Sequence, residues 1–377
     1  MKVLIVGAGI GGLALAGFLK ETGVEYDQIE KCTDWNRQGY LIALWDNGRD
    51  ILRKLGLAEQ FDAVGSRVQR YSVRDGSGNI IRDYVLNKFY SSYGGAITMV
   101  DRNDLHELLL QNAGPVRMDC SVETIMEKGE RLAVTFTDGR TETYDFVIGA
   151  DGIHSKVRGL VFRGNYERYI NWRSWFVWID HSYDVPATLV EYVEPRALIV
   201  TGTAGKKTLA NFIAPVDHSV WDTTEGRVER LKELFKNESH IVPAAFDHIR
   251  DEDLMPTDLI DLSMRHWFHG RAVLLGDAAH SFGPLAGMGG SMALEDAYVL
   301  VASLIRIRDG APIKQTLRAY ERKRKKRIVI VKRLTNKVQH GVFVRSVLLR
   351  RIINRYMRTV SERVLTDDYE ELLKHEM

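Results

Sequence analysis

Apolar and polar positions change period several times along this chain, and each change marks an element. Val3 to Val6 is a short, continuous apolar run of the kind a buried parallel strand needs. Gly7 to Gly12 interrupts it. From Leu13 to Glu21 the spacing turns helical, with the small residues Ala14, Ala16 and Gly17, and Gly23 can end the helix. Tyr26 to Glu30 reads as the next strand, so the chain opens with a βαβ unit of the usual right-handed crossover.

Ile51 to Phe61 reads as a short amphipathic helix that closes at Gly56 and restarts. Val68 to Val73 and Ile80 to Val85 alternate like strands around the turn Asp75-Gly76-Ser77-Gly78-Asn79. Asp101 to Gln111 is helical. Leu132 to Thr137 and Glu142 to Ile148 read as two strands joined at Asp138-Gly139. Strand-like runs dominate from Trp175 to Ala214, and Thr223 or Thr224 can cap a helix that runs through Phe235. Ala272 to Leu275 is again a buried strand, Gly289 begins a helix, and from Pro312 the pattern is almost wholly helical. With βαβ-type elements at both ends and a β-rich stretch between, an α/β fold of two interleaved domains is expected.

The composition narrows the function classes. A net charge of +2 gives no footprint of a nucleic-acid binder. Cys32 and Cys120 are too few and too far apart for a disulfide framework or a cysteine metal site, which fits a reducing, cytoplasmic setting. His266 and His269 have no third ligand in their local sequence, so no metal site is expected. Met1-Lys2 leads directly into the first strand, so no signal peptide is expected, and no apolar run reaches the roughly 20 residues that cross a bilayer. The charge is uneven. Fifteen Arg and Lys fall between Arg318 and Arg358, with Glu321 the only acid among them. They read first as a solvated helix face, and second as a surface attracting a phosphorylated nicotinamide cofactor or acidic lipids.

Three constellations carry chemistry. In Gly7-Ala8-Gly9-Ile10-Gly11-Gly12, Gly7 permits the tight turn, Gly9 lets a pyrophosphate approach, and Gly12 lets helix and strand pack closely. Glu30, at the end of the second strand, can accept hydrogen bonds from a ribose diol. Together these point to a dinucleotide, FAD or NAD. The second is Gly149-Ala150-Asp151-Gly152 with Ser155 and Arg158. In the third, a buried strand delivers Gly276 and Asp277 at its C-terminal end, where open α/β sheets place ligands. It continues through His280, read as filling the turn, into Pro284-Leu285-Ala286-Gly287-Met288-Gly289-Gly290-Ser291, a second glycine-rich anion cradle before a helix. Trp172, Trp175, Phe176 and Trp178 form an aromatic strip. Strand alternation sends Trp175 and Trp178 to opposite faces, so one face is expected in the core while the other can stack a planar substrate.

These motifs, in this order, resemble those of the group A flavoprotein monooxygenases, which share the fold of para-hydroxybenzoate hydroxylase. The resemblance covers residues 1 to about 330, and the shorter members, such as salicylate and urate hydroxylases and tetracycline-inactivating monooxygenases, are most similar. It implies a Rossmann-like FAD-binding domain (residues 1–70, 99–162 and 264–325) interleaved with a β-sheet substrate domain (71–98 and 163–263), then a C-terminal helical segment (326–377). It implies that Gly7, Ala8, Gly9, Ile10, Gly11, Gly12, Glu30 and Lys31 hold the ADP half of FAD. Arg37 and Gly39 would line the flavin cleft, and Arg102 would reach the phosphates or ribityl chain. Val122 would meet the adenine through its backbone. Asp151 and Arg158 match a motif shared between FAD and nicotinamide binding. Gly276 and Asp277 would hold the ribityl hydroxyls, and Pro284, Gly287, Met288, Gly289 and Gly290 would flank the isoalloxazine. Trp172-Arg173 matches a pair that opens the substrate sheet, which makes Trp172 and Trp175 the candidate substrate residues. Where the family often has Gly-Gln-Gly-x-Asn, this chain has Gly287-Met288-Gly289-Gly290-Ser291.

The implied activity is a monooxygenase that consumes NAD(P)H and O2 and oxygenates a planar or unsaturated organic molecule. A reductase of isoprenoid or lipid double bonds and a flavin-binding protein without turnover are the alternatives. No catalytic side chain is assigned, and the sequence leaves the oligomeric state open. The C-terminal segment is expected to pack on the FAD domain with Ile328, Val329, Val331, Leu334 and Val338 inward. Val342, Val344, Val347, Leu348, Ile352 and Ile353 would cover the same domain or a partner subunit, or rest on an anionic membrane; packing within the chain is the default.

Overall fold

The computed structural model describes residues 1–35, 39–86, 90, 96–164, 166–179, 187–195, 197–204, 207–217, 222–236, 246, 249–360, 369 and 372–373. The first strand, Lys2–Val6, is the centre of a six-stranded sheet. Glu25–Ile29 and then Val116–Arg117 lie on one side of it; Phe146–Gly149, Ala272–Leu274 and Phe268–His269 lie on the other. All pairings are parallel except the last, between Phe268–His269 and Ala272–Leu274. Val3, Leu4 and Ile5 are fully buried, as strands covered on both faces require. Helices Ile10–Lys20 and Gly289–Arg308 pack against one another beside this sheet.

A seven-stranded sheet forms the other large layer, in the order Met255–Leu262, Glu167–Ile179, Lys207–Pro215, Ala197–Ala204, Thr188–Glu194, Arg70–Arg74, Ile80–Val85. Its one parallel pairing joins Thr188–Glu194 to Arg70–Arg74. One face packs on the main core, and the other on a separate cluster that contains Trp175, Phe212 and Phe235. Two three-stranded sheets complete the β structure: Val122–Lys128, Arg131–Phe136 and Thr141–Tyr144 in one, and Leu41–Trp45, Ser66–Arg67 and Ile97–Asp101 in the other.

Several expectations need correction. The run Glu142 to Ile148 is not one strand. Thr141–Tyr144 belongs to a small antiparallel sheet and Phe146–Gly149 to the large parallel one. The break is Asp145, whose carboxylate accepts the Lys2 N–H at 2.6 Å while its own N–H donates to the Lys2 carbonyl at 2.8 Å. The expected break at Gly56 is present: helices Asp46–Lys54 and Ala58–Val64 are separated where Gly56 has φ +75°, and the first begins five residues earlier than expected.

The C-terminal segment forms helices Ile313–Val342 and Val347–Thr359. Ile328, Val331 and Leu334 point inward and Val338 is half-buried, but Val329 is 64% exposed. Val342 and Val344 are buried, whereas Val347, Leu348 and Ile352 face outward. Most of the basic residues are exposed, yet Arg324, Arg327 and Arg350 are buried. Arg324 donates to Glu295 and, at 2.5 Å, to Asp296; Arg327 donates twice to Glu295 at 2.7 Å. Charged residues spaced along a helix look like a solvated face until a second helix places carboxylates under them. Among the described residues no helix is long and apolar enough to cross a membrane.

Candidate functional site

The two glycine-rich loops lie nearly 280 residues apart in sequence, and both end at the C-terminal edge of the parallel sheet. Between them is a cavity of about 600 Å³. Gly7, Gly9, Ile10, Gly11, Glu30, Lys31, Arg102, Asp151, Gly276, Asp277, Pro284, Gly287, Gly289 and Gly290 all line it.

The first loop shows why its glycines differ. Gly7 has φ +105°, and a Cβ there would lie 2.5 Å from the Ala150 carbonyl oxygen. A Cβ on Gly12 would lie 2.2 Å from the Gly7 oxygen, so Gly12 serves helix–strand packing. Gly9 is different. It sits at the N-cap of helix Ile10–Lys20 without a side-chain cap, and its Cβ position meets nothing within 4 Å. The free N–H groups of that helix therefore open onto a cradle which only a residue lacking a side chain leaves clear. Gly289, the first residue of helix Gly289–Arg308, is equally open, and that helix also lacks a side-chain cap.

Glu30 is buried. It accepts the Ala8 N–H at 3.0 Å through Oε2 and the Cys32 N–H at 3.2 Å through Oε1. A carboxylate has about four lone-pair sites, so it can shape the loop and still receive a ligand diol. His106 Nε2 lies 2.8 Å from the Ala8 carbonyl oxygen, fixing the loop from the other side. Arg102 lines the cavity beside the Tyr40 ring, 5.7 Å from its centroid.

Asp277 keeps an exposed surface and lines the cavity, with protein packed around its carboxyl. Burial pushes its carboxyl up; nearby His280 pulls it back and Asp296 pushes it further up. Burial likewise raises Asp151, against hydrogen bonds from Ser155 Oγ at 2.6 Å and the Lys156 and Val157 amides at 2.7 and 3.1 Å. Arg158 does not line the cavity. It donates to the carbonyls of Ile153 and Ala278 and to Glu167, tying the Asp151 turn to the Asp277 helix.

Other candidates also lie off the surface of the cavity. Ala8, Gly12 and Met288 are buried beside it. The Gly39 carbonyl accepts the Trp178 indole N–H at 2.8 Å. Val122 is buried, and Cys120 and Ser121 just before it do the lining. Arg37 lies outside the described residues. Trp172 stacks on Phe343 with ring centroids 3.9 Å apart, and Trp175 is in the core cluster beyond the sheet, its indole N–H on Asp222 at 3.2 Å. Phe176, next to Trp175 on the strand and stacked with Tyr40 at 5.1 Å, is the aromatic residue of this strand that lines the cavity. Ser291 has taken a backbone role: its hydroxyl accepts the Trp45 N–H at 3.1 Å.

Sequence reasoning missed the residues contributed by the large sheet, namely Leu189, Glu191, Val200 and Asn211. Glu191 is a buried acid, pushed up to about 7 by burial and partly restrained by a hydrogen bond from Tyr71. Its signal in the sequence was an acid in the middle of an otherwise apolar run within strand Thr188–Glu194.

Comparison with known proteins bears directly on this site. A family model described as "FAD binding domain" matches residues 1–335. The chain is 31% identical over 314 residues to an aurachin C monooxygenase/isomerase of Stigmatella aurantiaca, covering 81% of this chain and 80% of that protein. It is 30% identical over 356 residues to an FAD-dependent urate hydroxylase of Klebsiella pneumoniae, covering 90% and 91%. The crystal structure of Klebsiella pneumoniae HpxO complexed with FAD and uric acid superposes with a TM-score of 0.90 at 24% identity, covering 99% of this chain and 96% of that one.

Proposed function

The chain belongs to the FAD binding domain family, among the group A FAD-dependent monooxygenases, and from that premise we propose that it uses NAD(P)H and O2 to insert one oxygen atom into a planar or unsaturated organic substrate. The observation that carries the reading is the convergence of both glycine-rich loops, Glu30 and Asp277 on one cavity that also reaches Phe176, Val200 and Asn211 of the large sheet. In this reading residues 1–70, 99–162 and 264–325 serve the cofactor, and 71–98 and 163–263 the substrate.

The residues present fit FAD. The open Cβ positions of Gly9 and Gly289 leave room for a ligand against two uncapped helix N-termini, and Glu30 and Asp277 offer acceptors for two sets of hydroxyls. FAD, when bound, supplies the two-electron redox chemistry and the reaction with O2. The chain's part is to bind, orient and keep dry. The N-terminus of Ile10–Lys20 would face the pyrophosphate, and Lys31 and Arg102 would add positive charge. The N-terminus of Gly289–Arg308 would favour negative charge on the reduced ring. Leu189, Val200 and Phe176 from the sheet, with Leu285 from the second loop, give the cavity an apolar lining that limits water.

The test is direct. Purified protein should carry FAD that acid releases at one per chain, and it should oxidise NADH or NADPH faster when a substrate is present. With labelled O2 the product should gain one labelled oxygen atom. A product that instead gains two hydrogens would establish a double-bond reductase.

A further inference from the structure

A second cavity, of about 390 Å³, adjoins the first and shares Ala43, Leu189, Glu191, Leu285 and Gly287 with it. Its size falls within the range of small-molecule pockets. One wall is the large sheet. Leu189, Glu191 and Val193 alternate along Thr188–Glu194 and share a face with Tyr71 and Val73 on the neighbouring strand. The other wall is helical: Leu334 and Val338 from Ile313–Val342, and Arg350, Ile353, Asn354 and Met357 from Val347–Thr359.

The polar groups in this mostly apolar space are few and unevenly satisfied. The Tyr71 hydroxyl donates to the Glu191 carboxyl. One O–H leaves most of a carboxyl's acceptor capacity unused. On the helical wall, Arg350 Nε and Asn354 Oδ1 are buried with no hydrogen-bond partner among the described residues, although Arg350 Nη1 holds the Gly341 carbonyl at 2.9 Å. Both atoms are enclosed by protein, so the Glu191 carboxyl, on a residue that lines both cavities, is the acceptor available to a ligand here.

We infer, on the reading proposed above, that this cavity takes the body of the organic substrate while Glu191, which borders both cavities, accepts a hydrogen bond from an O–H or N–H on the substrate's ring. The substrate class is a bulky, largely apolar molecule that carries a phenol-like donor. The donor is held at the junction with the flavin-side cavity, and the apolar body lies between the sheet and the C-terminal helices. A ligand lacking the donor would leave the buried carboxyl short of a partner, which costs about ten-fold or more in affinity.

The experiment uses FAD-loaded protein and calorimetric titration with para-hexylphenol, its methyl ether para-hexylanisole, and phenol. Para-hexylphenol should bind about ten-fold tighter than either of the others. Glu191→Leu should erase the preference for the phenol over the ether. Glu191→Gln, which keeps the shape and one acceptor, should retain part of it and guards against a folding artefact. Val338→Trp should weaken para-hexylphenol much more than phenol. Equal binding of phenol and ether to the wild type, an unchanged ratio in Glu191→Leu, or parallel losses in Val338→Trp would overturn the inference. Failure of the underlying reading has a different signature. Protein without FAD, or with no probe-stimulated NAD(P)H oxidation, would retire the monooxygenase while an intact calorimetric preference kept the cavity assigned.

Discussion

His280 Nε2 lies 2.5 Å from Asp296 Oδ2, and that same oxygen accepts the Gly276 N–H at 2.8 Å. Asp296 thus holds the turn that presents Asp277 to the cavity. Burial pushes its carboxyl up, but His280 and Arg324 outweigh this and hold it down at about 2. A carboxyl depressed in the fold contributes stability above its ordinary value near 3.8, and loses it as the pH falls toward 2.

Arg324→Met should therefore destabilise the protein by about 3–5 kcal/mol, because it leaves buried carboxylates undercompensated. Urea unfolding at neutral pH measures this. The variant should also retain FAD less well, since the Gly276 turn loses its support. Unchanged unfolding midpoints would show that the buried network contributes little.

Two glycine substitutions should fail in opposite ways. Gly9→Ala meets open space at φ −78°, so the protein should fold with near-normal stability yet bind FAD at least ten-fold more weakly. Gly12→Ala drives a Cβ into the Gly7 carbonyl, so its loss should appear first in thermal stability. Melting curves recorded alongside FAD titrations separate the two. Full FAD affinity in Gly9→Ala would place the pyrophosphate elsewhere.

Glu30→Ala and Asp277→Ala should both release flavin. Glu30 also anchors the Ala8 and Cys32 amides, so its loss should loosen the loop as well as remove ribose acceptors. Flavin stoichiometry after gel filtration is the readout. Release in Glu30→Ala with wild-type retention in Asp277→Ala would indicate that the first loop binds a nicotinamide dinucleotide instead.

Glu191 should make stability fall with rising pH. Below about 4.5 it is protonated folded or unfolded and contributes nothing. Between about 4.5 and about 7 the unfolded chain ionises it while the fold keeps the proton, so unfolding releases a proton and stability declines. Above about 7 the penalty is complete, at roughly 3 kcal/mol. Tyr71, Tyr84, Lys337, Arg350 and Tyr369 are the other titratable groups on the walls of the second cavity. Glu191→Gln should match the wild type in urea unfolding at pH 4 and exceed it at pH 8. Parallel pH profiles would argue against a protonated carboxyl at neutral pH.

The first loop was legible because its message is local: strand, turn, helix and acid follow in order within thirty residues. The second was legible for the same reason. The sheet side was not. Alternation shows that Trp175 and Trp178 face apart, but which of them faces a ligand depends on the layer packed against each side. Glu191 joins Tyr71 only because Thr188–Glu194 pairs in parallel with a strand more than a hundred residues earlier. Arg324 could not be separated from its exposed neighbours, because its partners lie on another helix. Asp145 divides an apparent single strand through a pairing with Lys2 at the far end of the chain.

The strand order also sets a timetable for synthesis. Lys2–Val6 can acquire both of its parallel neighbours once residue 149 has emerged, so a nascent chain can build the pyrophosphate cradle early. Ala272–Leu274 docks at the edge of that sheet only later, bringing Asp277 and the Gly287 loop with it. Even then Glu295 and Asp296 are buried acids without their arginines until Ile313–Val342 arrives with Arg324 and Arg327. A ribosome stalled before that helix holds both halves of the cofactor site with undercompensated charge beneath them. Flavin capture should accordingly be one of the last events in the biogenesis of this protein, and a chain truncated before that helix should emerge colourless.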